Sequence, residues 1–359
     1  MNNQKKVGIV TLNGYFNFGN RLQNYALTKI LEKNGYDVYT LWNKSKKDIV
    51  KDWIKSKLFF IKKYNRFRKF YKFSKNNMKE LINNTKNLNY LDYFVVGSDQ
   101  VWNYKLIDKD KTWFEAPKNK ITISYSASLG TSTIPNEFGE KLKKQLNNYS
   151  AISVREKSAQ VLLKEIMPDR EIELLIDPTL LLDSQTWEET MKCPTKRIPE
   201  KYIFTYFIGE IKEEYYKEIT RFSNENDCEI INILDPKCEF YDVGPEEFLY
   251  LIKNSFMVCT DSFHACVFSF KFNKPFVIFK RTGVGISNDL YTRLENLLSL
   301  FELKNREYNG KKITIENLNC DYSQSLEILN KEINKGTKFL LDNLNNIENT
   351  SIKGRKKNE

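Results

Sequence analysis

The stretch SFMVCTDSFHACVFSFKFNKPFVIF at residues 255–279 decides the fold. Residues 255–260 predict a short buried strand, and residues 264–272 predict a helix. An Asn-Lys-Pro tripeptide then breaks the chain before an apolar strand at residues 276–279. A strand, a turn, a helix and a strand in this order are typical of a parallel α/β sheet. His264, the single histidine of the chain, lies where the first strand ends.

The position of His264 favours a catalytic role over packing alone. Ligands of open α/β sheets bind at the carboxyl ends of the strands. Imidazole is also the side chain best suited to exchange protons near neutral pH. Asp261 and Ser262 add polar groups beside it. The alternative is a histidine that only packs at the strand end.

The rest of the chain repeats the α/β alternation in two series. With 359 residues, the chain is too long for one ordinary core. We predict one α/β domain at residues 1–185, with a basic helical insert at 44–80. A second domain at residues 200–345 contains His264 and faces the first across a cleft. Residues 346–359 are expected to form a flexible tail.

The net charge of +11 comes from the basic insert. Between residues 44 and 79 there are fourteen Lys and Arg but two acidic residues, so the remaining chain is close to neutral. This distribution favours a local docking surface over chain-wide nucleic-acid binding. Apolar residues recur at helical spacing in two stripes. They are Val50, Trp53, Ile54, Leu58 and Ile61, and then Phe60, Tyr64, Phe67 and Tyr71.

Three interpretations of the insert remain open. An amphipathic element could lie on an anionic membrane surface. A patch of basic and aromatic side chains could instead bind nucleic acid, which the neutral remainder of the chain disfavours. Finally, the aromatic faces could pack on the domain and leave the lysines in water.

The cysteines and apolar runs predict a cytoplasmic protein. None of the six cysteines forms a Cys-x-x-Cys pair, and one histidine cannot complete a typical zinc site. This pattern favours a reducing compartment. The run at residues 7–12 is too short for a signal peptide. Any membrane contact is therefore expected to be peripheral, at the inner face.

Two polar loops follow predicted strands of the first domain. The loop at residues 14–20 precedes a helix and contains Asn17 and Asn20, which serve either as turn and cap residues or as ligands of a polar substrate. Its glycine spacing fits no dinucleotide or phosphate-binding motif. The loop at residues 97–103 contains Asp99 and Trp102. These two residues either form a turn and cover the core, or line a sugar site.

Three arginines are candidates for binding an anion. Arg155 and Arg281 each follow a buried strand, and Arg293 lies early in a predicted helix. A guanidinium group at such a position can hold phosphate or carboxylate through two hydrogen bonds. The alternative is a surface arginine paired with a neighbouring acid such as Glu156 or Glu295.

From about residue 7 to residue 303, the chain resembles the polysaccharide pyruvyl transferase family. The resemblance is carried by GYFNFGNRLQNYAL at 14–27, VGSDQVWN at 96–103, SVRE at 153–156, DPT at 177–179 and TDSFH at 260–264. The chain departs from the family at Ala265, where glycine is usual. Its methyl group is expected to narrow the pocket while leaving the imidazole in place.

The resemblance implies two Rossmann-like domains, similar to the B-type glycosyltransferase architecture, with residues 1–185 on the acceptor side and residues 200–345 on the donor side. It also implies transfer of the enolpyruvyl-derived group of phosphoenolpyruvate to a sugar of a surface polysaccharide or its precursor, which forms a pyruvate ketal and releases phosphate. Phosphoenolpyruvate is then a co-substrate, and no cofactor or metal is expected. The expected roles are general acid for His264, donor binding for Arg155, Ser262, Arg281 and Arg293, and acceptor binding for Asn17, Asn20, Asp99 and Trp102.

Two other functions remain open at this point. A nucleotide-sugar-dependent glycosyltransferase of similar shape would release a nucleoside diphosphate instead of phosphate. A non-catalytic protein that binds membranes or nucleic acid would depend on residues 44–79 and not on His264. The acceptor could be a free sugar or a lipid-linked oligosaccharide.

Overall fold

A computed structural model of the protein describes residues 4–42, 50, 54, 61–106, 113–115, 117–283 and 289–355. Its longer strands form two separate parallel sheets, one early and one late in the chain. This confirms the predicted α/β class with two Rossmann-like domains.

The first sheet contains strands β1 Lys6–Val10, β2 Asp37–Trp42, β3 Lys79–Ile82, β4 Tyr93–Val96 and β5 Ile121–Ser124. Their order is β3-β2-β1-β4-β5, and every neighbouring pair is parallel. Short strands β6 Ser153–Val154 and β7 Glu173–Leu174 pair beside β5. The strand order reverses between β1 and β4, so the loops that follow these two strands meet at one edge.

The second sheet contains β8 Tyr202–Tyr206, β9 Glu229–Asn232, β10 Met257–Thr260 and β11 Phe276–Ile278. Their order is β11-β10-β8-β9, again with parallel pairs throughout. Here the order reverses between β8 and β10. His264 follows β10 directly and therefore lies at the edge where this fold class binds ligands.

Helices cover both sheets. Their bounds are α1 Phe18–Lys33, α2 Ile61–Asn77, α3 Thr85–Tyr90, α4 Asn136–Leu146, α5 Lys157–Ile166, α6 Pro178–Leu181, α7 Ser184–Thr190, α8 Glu213–Glu225, α9 Pro245–Asn254, α10 Phe263–Lys271, α11 Asp289–Leu300 and α12 Ser323–Arg355. The first half comprises the chain up to α6, and the second half the chain from β8 to α11. The predicted tail overlaps the end of α12, and residues 356–359 lie outside the described part.

The end of the basic insert differs from the prediction. Helix α2 ends at Asn77, and Lys79–Ile82 form the edge strand β3 instead of continuing a helix to residue 80. The backbone of β3 pairs with β2, and its charged residues suit an exposed sheet edge. Of the two predicted apolar stripes, Trp53, Leu58 and Phe60 lie outside the described residues.

Helix α2 packs between the two halves. It buries the rings of Phe67, Phe70 and Phe73 in the core, while Tyr71 stays exposed. This supports the packing interpretation for α2, and a membrane contact stays a prediction. Among the described residues, no helix is long and apolar enough to cross a membrane.

Basic side chains of α2 also bind the second half. Arg66 is buried and donates a hydrogen bond of 2.9 Å to the carbonyl oxygen of Ile233. Lys69 donates to both carboxylate oxygens of Glu247, at 2.8 Å each. Lys62 donates to backbone carbonyls that follow β9. Part of the positive charge is therefore used inside the molecule.

Aromatic rings join the halves into one core. Phe18, at the start of α1, stacks on Phe248 of α9 with ring centroids 4.4 Å apart. The same cluster of buried residues contains side chains from both sheets and from α12. Lys335 of α12 donates a hydrogen bond of 2.9 Å back to the carbonyl oxygen of Leu174 in the first half. The domain boundaries proposed from the sequence stay a prediction.

Candidate active site

The turn that carries His264 is fixed by backbone contacts. Asp261 accepts hydrogen bonds from the N–H groups of Ile208 and Gly209, at 2.7 and 2.8 Å. These bonds tie the end of β10 to the end of β8. Ser262 is the N-cap residue of α10, although its side chain makes no capping hydrogen bond. His264 therefore lies on the first turn of a helix whose start is held in place.

His264 packs against the start of α1. A β-carbon at Gly19 would lie 1.9 Å from His264 Nδ1, so only glycine allows this approach. Asn17 caps α1 by accepting a hydrogen bond of 3.1 Å from the backbone N–H of Asn20. The loop of the first half thus supports the histidine of the second half, and His264 is only 8% exposed.

Asp177 connects His264 to the first half. As N-cap residue of α6, its Oδ1 accepts hydrogen bonds from the backbone N–H and the hydroxyl of Thr179, at 3.0 and 2.7 Å. Its Oδ2 accepts from Ser98 Oγ at 2.9 Å and from Arg155 Nη1 at 2.6 Å. The same oxygen lies 3.7 Å from His264 Nε2, beyond hydrogen-bond length but within ion-pair range.

An arginine from each half approaches Asp99. Arg155 Nη2 lies 3.6 Å and Arg293 Nη1 lies 3.8 Å from Asp99 Oδ1. Arg155 also lies over the ring of Phe263, 4.8 Å from its centroid, so an aromatic residue of α10 covers one face of the guanidinium group. Glu156 Oε1 lies 3.7 Å from Arg155 Nε. Two buried cations thus lie among carboxylates at the boundary between the halves.

Several buried polar atoms in this cluster have no hydrogen-bond partner among the described residues. They are Arg155 Nε and Nη2, Arg293 Nε, Glu156 Oε2 and His264 Nε2. An unsatisfied buried donor typically costs about 1–3 kcal/mol, so these atoms are the natural binding points for a polar ligand or water. Three of the five are guanidinium N–H groups, which bind anionic oxygens.

Burial and charge pairing set the protonation states. Burial alone would raise the pKa of Asp177, but His264, Arg155 and the Thr179 N–H hold it well below its usual range. Burial raises the pKa of Glu156, and the nearby guanidinium groups only partly offset this. Burial and the charge on Arg155 lower the pKa of Arg293 to about 10. Asp177 is therefore an anion, and Arg293 a cation, at neutral pH.

Arg281, the third predicted donor-binding arginine, pairs with Asp261. Its Nε lies 3.2 Å from Asp261 Oδ2, and its Nη2 donates a hydrogen bond of 2.9 Å to the Asp261 carbonyl oxygen. These contacts hold the turn before His264. The donor-binding roles of Arg281 and Ser262 stay predictions.

The four predicted acceptor residues have different surroundings. Asn20 accepts hydrogen bonds from Arg21 Nε and Nη2, at 3.1 and 2.9 Å, and Asn17 caps α1. Trp102 is 2% exposed and packs in the core of the first half. Asp99 lies within 4 Å of both Arg155 and Arg293. An acceptor role for these residues stays a prediction.

The sequence-based list of site residues missed Asp177, Gly19 and Glu156. The Asp-Pro-Thr signature after an apolar run could have identified Asp177 as a helix N-cap at a strand end. No local pattern marks Gly19, because its role depends on a residue from the other half. Glu156 was considered only as a surface partner of Arg155, whereas it is 2% exposed.

The sequence model of the polysaccharide pyruvyl transferase family matches residues 17–282. The chain belongs to the polysaccharide pyruvyl transferase family. The matched region includes Arg155, Asp177 and His264, while Arg293 lies beyond it. At Ala265, where the family usually has glycine, the methyl group that was expected to narrow the pocket lies in the hydrophobic core.

Comparison with solved structures gives distant similarities. An alpha-glucosyltransferase in complex with UDP and DNA is 13% identical over 95% of this chain and 99% of that chain, with a TM-score of 0.48. UDP-GlcNAc 2-epimerase from Methanocaldococcus jannaschii is 11% identical over 92% and 93%, with a TM-score of 0.45. The Escherichia coli ADP-heptose heptosyltransferase II is 9% identical over 92% and 99%, with a TM-score of 0.35. No curated protein sequence matches the chain.

Proposed function

We propose that this family member transfers the enolpyruvyl-derived group of phosphoenolpyruvate to a sugar of a surface polysaccharide or its precursor, forming a pyruvate ketal. The observation that carries the proposal is that Arg155 and Arg293, in the cluster that contains His264, have buried N–H groups without a hydrogen-bond partner among the described residues. A phosphate and a carboxylate could each occupy guanidinium donors there. The imidazole would lie within reach of the remaining part of the donor, its methylene group.

The reaction requires an acid near the methylene carbon. His264 would donate a proton to this carbon, which becomes a methyl group, and the adjacent carbon takes on cationic character. A first sugar hydroxyl attacks that carbon, phosphate leaves with the bonding electrons, and a second hydroxyl of the same sugar closes the ketal. The two hydroxyl protons are released, one back to the imidazole and one to phosphate or solvent.

Asp177 would act through its neighbours instead of touching the substrate. Its Oδ2 holds Arg155 Nη1 at 2.6 Å and lies 3.7 Å from His264 Nε2. An ionised carboxylate at this position would offset the charge of the imidazolium before the proton is transferred. It would also keep the Nε and Nη2 donors of Arg155 directed to the donor.

Binding of phosphoenolpyruvate tests the proposal without knowledge of the acceptor. Calorimetry on the wild-type protein should show binding, and Arg155→Ala should weaken it about 10- to 100-fold, the loss of a charge-assisted contact. Arg155→Lys should recover only part of the affinity, because an ammonium group cannot make the paired contact. Arg197→Ala, at an exposed position between α7 and β8, is the matched control. Unchanged affinity in Arg155→Ala would make Arg155 structural.

A further inference from the structure

A cavity lies between the halves, beside α11. Its volume is about 490 Å³, and it is lined by Ser158 at the start of α5 together with polar residues of α11 and of the turn that follows. The polar lining residues include Ser158, Thr292, Glu295, Asn296, Ser299 and Glu307. We call the group of His264, Arg155, Arg293, Asp177, Asp99 and Glu156 the donor cluster. None of the cavity residues named above belongs to this cluster or to the predicted acceptor set.

Helix geometry explains why α11 presents polar groups here. Thr292, Glu295, Asn296 and Ser299 have the spacing i, i+3, i+4 and i+7, which places them on one face of a helix. The neighbouring face carries the buried Arg293, which lies in the donor cluster. Helix α11 therefore lines the cavity with one face and contributes Arg293 to the donor cluster from the neighbouring face.

The two regions are connected through Asn296. A smaller cavity of about 140 Å³ is lined by Arg155, Asp177 and Arg293, and Asn296 lines this cavity as well as the larger one. A ligand in the larger cavity would therefore lie next to the arginine cluster. A sugar in this position would lie beside a donor held by Arg155 and Arg293.

The larger cavity has the chemistry of a site for a neutral polyol. Hydroxyl and amide side chains can both donate to and accept from sugar hydroxyls. Leu298 contributes an apolar wall. The charges balance, because Glu307 lies 3.5 Å from Lys280, while Glu295 and Lys304 lie in the same lining. Because Lys304 is the one cation among the described lining residues, while Glu295 and Glu307 are both acidic, an added phosphate or carboxylate would face at least as much negative as positive charge there.

We infer that the acceptor binds along α11 and that the sugar unit bound there is uncharged. The inference rests on the proposed function, since it names the acceptor site of that reaction. It relocates the acceptor from the loops that contain Asn17, Asn20 and Trp102 to a helix of the second half.

The test is direct binding of disaccharides by saturation-transfer NMR and calorimetry. The neutral probes are lactose, cellobiose and N,N′-diacetylchitobiose, and the acidic probe is cellobiouronic acid. Ser299→Leu fills the cavity from an exposed helical position, where leucine is well tolerated. Asn330→Leu, at an exposed position of α12, is the matched control. Phosphoenolpyruvate binding is measured in the same three proteins.

The wild type should bind at least one neutral disaccharide, and Ser299→Leu should weaken this binding at least about tenfold, while Asn330→Leu leaves it unchanged. Binding of none of the neutral probes, equal binding by Ser299→Leu, or preference for the acidic probe would overturn the inference. Loss of sugar binding in Ser299→Leu with no phosphoenolpyruvate binding in any protein would support the sugar site and reject the proposed donor.

Discussion

The Asp177 carboxylate accepts a hydrogen bond of 2.6 Å from Arg155 Nη1, on the oxygen that lies 3.7 Å from His264 Nε2. Asp177 and Arg155 belong to the first half, and His264 belongs to the second. One buried anion therefore links the groups proposed to bind the donor and to protonate it. The arrangement depends on how closely the two halves pack.

Asp177→Asn should reduce turnover about 10- to 100-fold, as is usual for residues that orient a reacting group. The amide nitrogen cannot accept from Arg155, and the charge opposite His264 is lost. Because the pKa of Asp177 is held below its usual range, its contribution to stability is full above about pH 4 and is lost as the pH falls further. Chemical unfolding of the wild type and of Asp177→Asn at several pH values should show that the difference in their free energies of unfolding becomes smaller in acid. A constant difference would contradict the ion pairing.

Gly19→Ala should impair catalysis by displacing the imidazole, since the new β-carbon would lie 1.9 Å from His264 Nδ1. A displacement of about 1 Å can reduce a rate about 100-fold. Gly14→Ala is the matched control in the same loop, because no atom lies within 4 Å of a β-carbon there. Steady-state kinetics of the two variants should differ clearly. Equal rates would show that the contact does not position His264.

Glu156→Gln should be at least as stable as the wild type at neutral pH. Burial raises the pKa of Glu156, so the wild-type contribution to stability is full below about pH 4 and is lost as the pH rises through the folded-state pKa. Glutamine keeps the neutral shape and does not titrate. Melting temperatures should therefore shift in favour of Glu156→Gln as the pH rises above about 4. Glu165→Gln, at an exposed position of α5, should show no such trend.

The fold could be predicted from local patterns, apart from one edge. Apolar runs and the Asn-Lys-Pro break placed β10, α10 and β11 to within about two residues, and the helix predicted to begin shortly before Arg293 agrees with α11. Strand β3 was missed because the basic, helical pattern of α2 runs directly into Lys79 and Glu80. Two charged residues on an edge strand hide the alternation that marks a strand.

The site could be predicted only in part, because its contacts are long-range. His264 and Arg155 follow strands, and strand ends can be read from the sequence. Three partners of Asp177 come from segments that are distant in the sequence, namely Ser98, Arg155 and His264. Hydrophobic periodicity predicts helices and strands but not such long-range contacts. Trp102 was predicted as an acceptor-binding residue, because an indole that follows a strand can line a cleft. Such an indole can equally fill a core. Tertiary packing placed it in the core.

Arg66→Ala should lower the free energy of unfolding by about 1.5–3 kcal/mol, the range for a hydrogen bond to a charged group. Arg66 is buried and donates to the Ile233 carbonyl, so its removal leaves that acceptor without the contact. Arg68→Ala, at an exposed position of the same helix, should change stability by less than about 0.5 kcal/mol. Urea unfolding of both variants checks this. A similar loss in both would show that α2 does not bridge the halves through Arg66.

Docking at an anionic membrane is a separate prediction for the exposed face of α2. Arg68, Lys72 and Lys75 are exposed, and each could contribute about 1 kcal/mol near an anionic surface. Replacing all three with glutamine should weaken co-sedimentation with phosphatidylserine vesicles at low salt. Binding should fade at high salt, because salt screens the surface potential. If the wild-type protein ignores these vesicles at low salt, docking through α2 is rejected.

The central claim is tested most directly by running the reaction in D₂O with phosphoenolpyruvate and neutral glycan acceptors, followed by mass spectrometry and NMR. The account predicts release of phosphate and an acceptor that carries a pyruvate ketal with one deuterium in its methyl group. His264→Gln should remain folded and lose about 10²–10⁴-fold in rate, the usual contribution of a general acid. Near-wild-type turnover in folded His264→Gln, or transfer from a nucleotide sugar with release of a nucleoside diphosphate instead, would contradict the account.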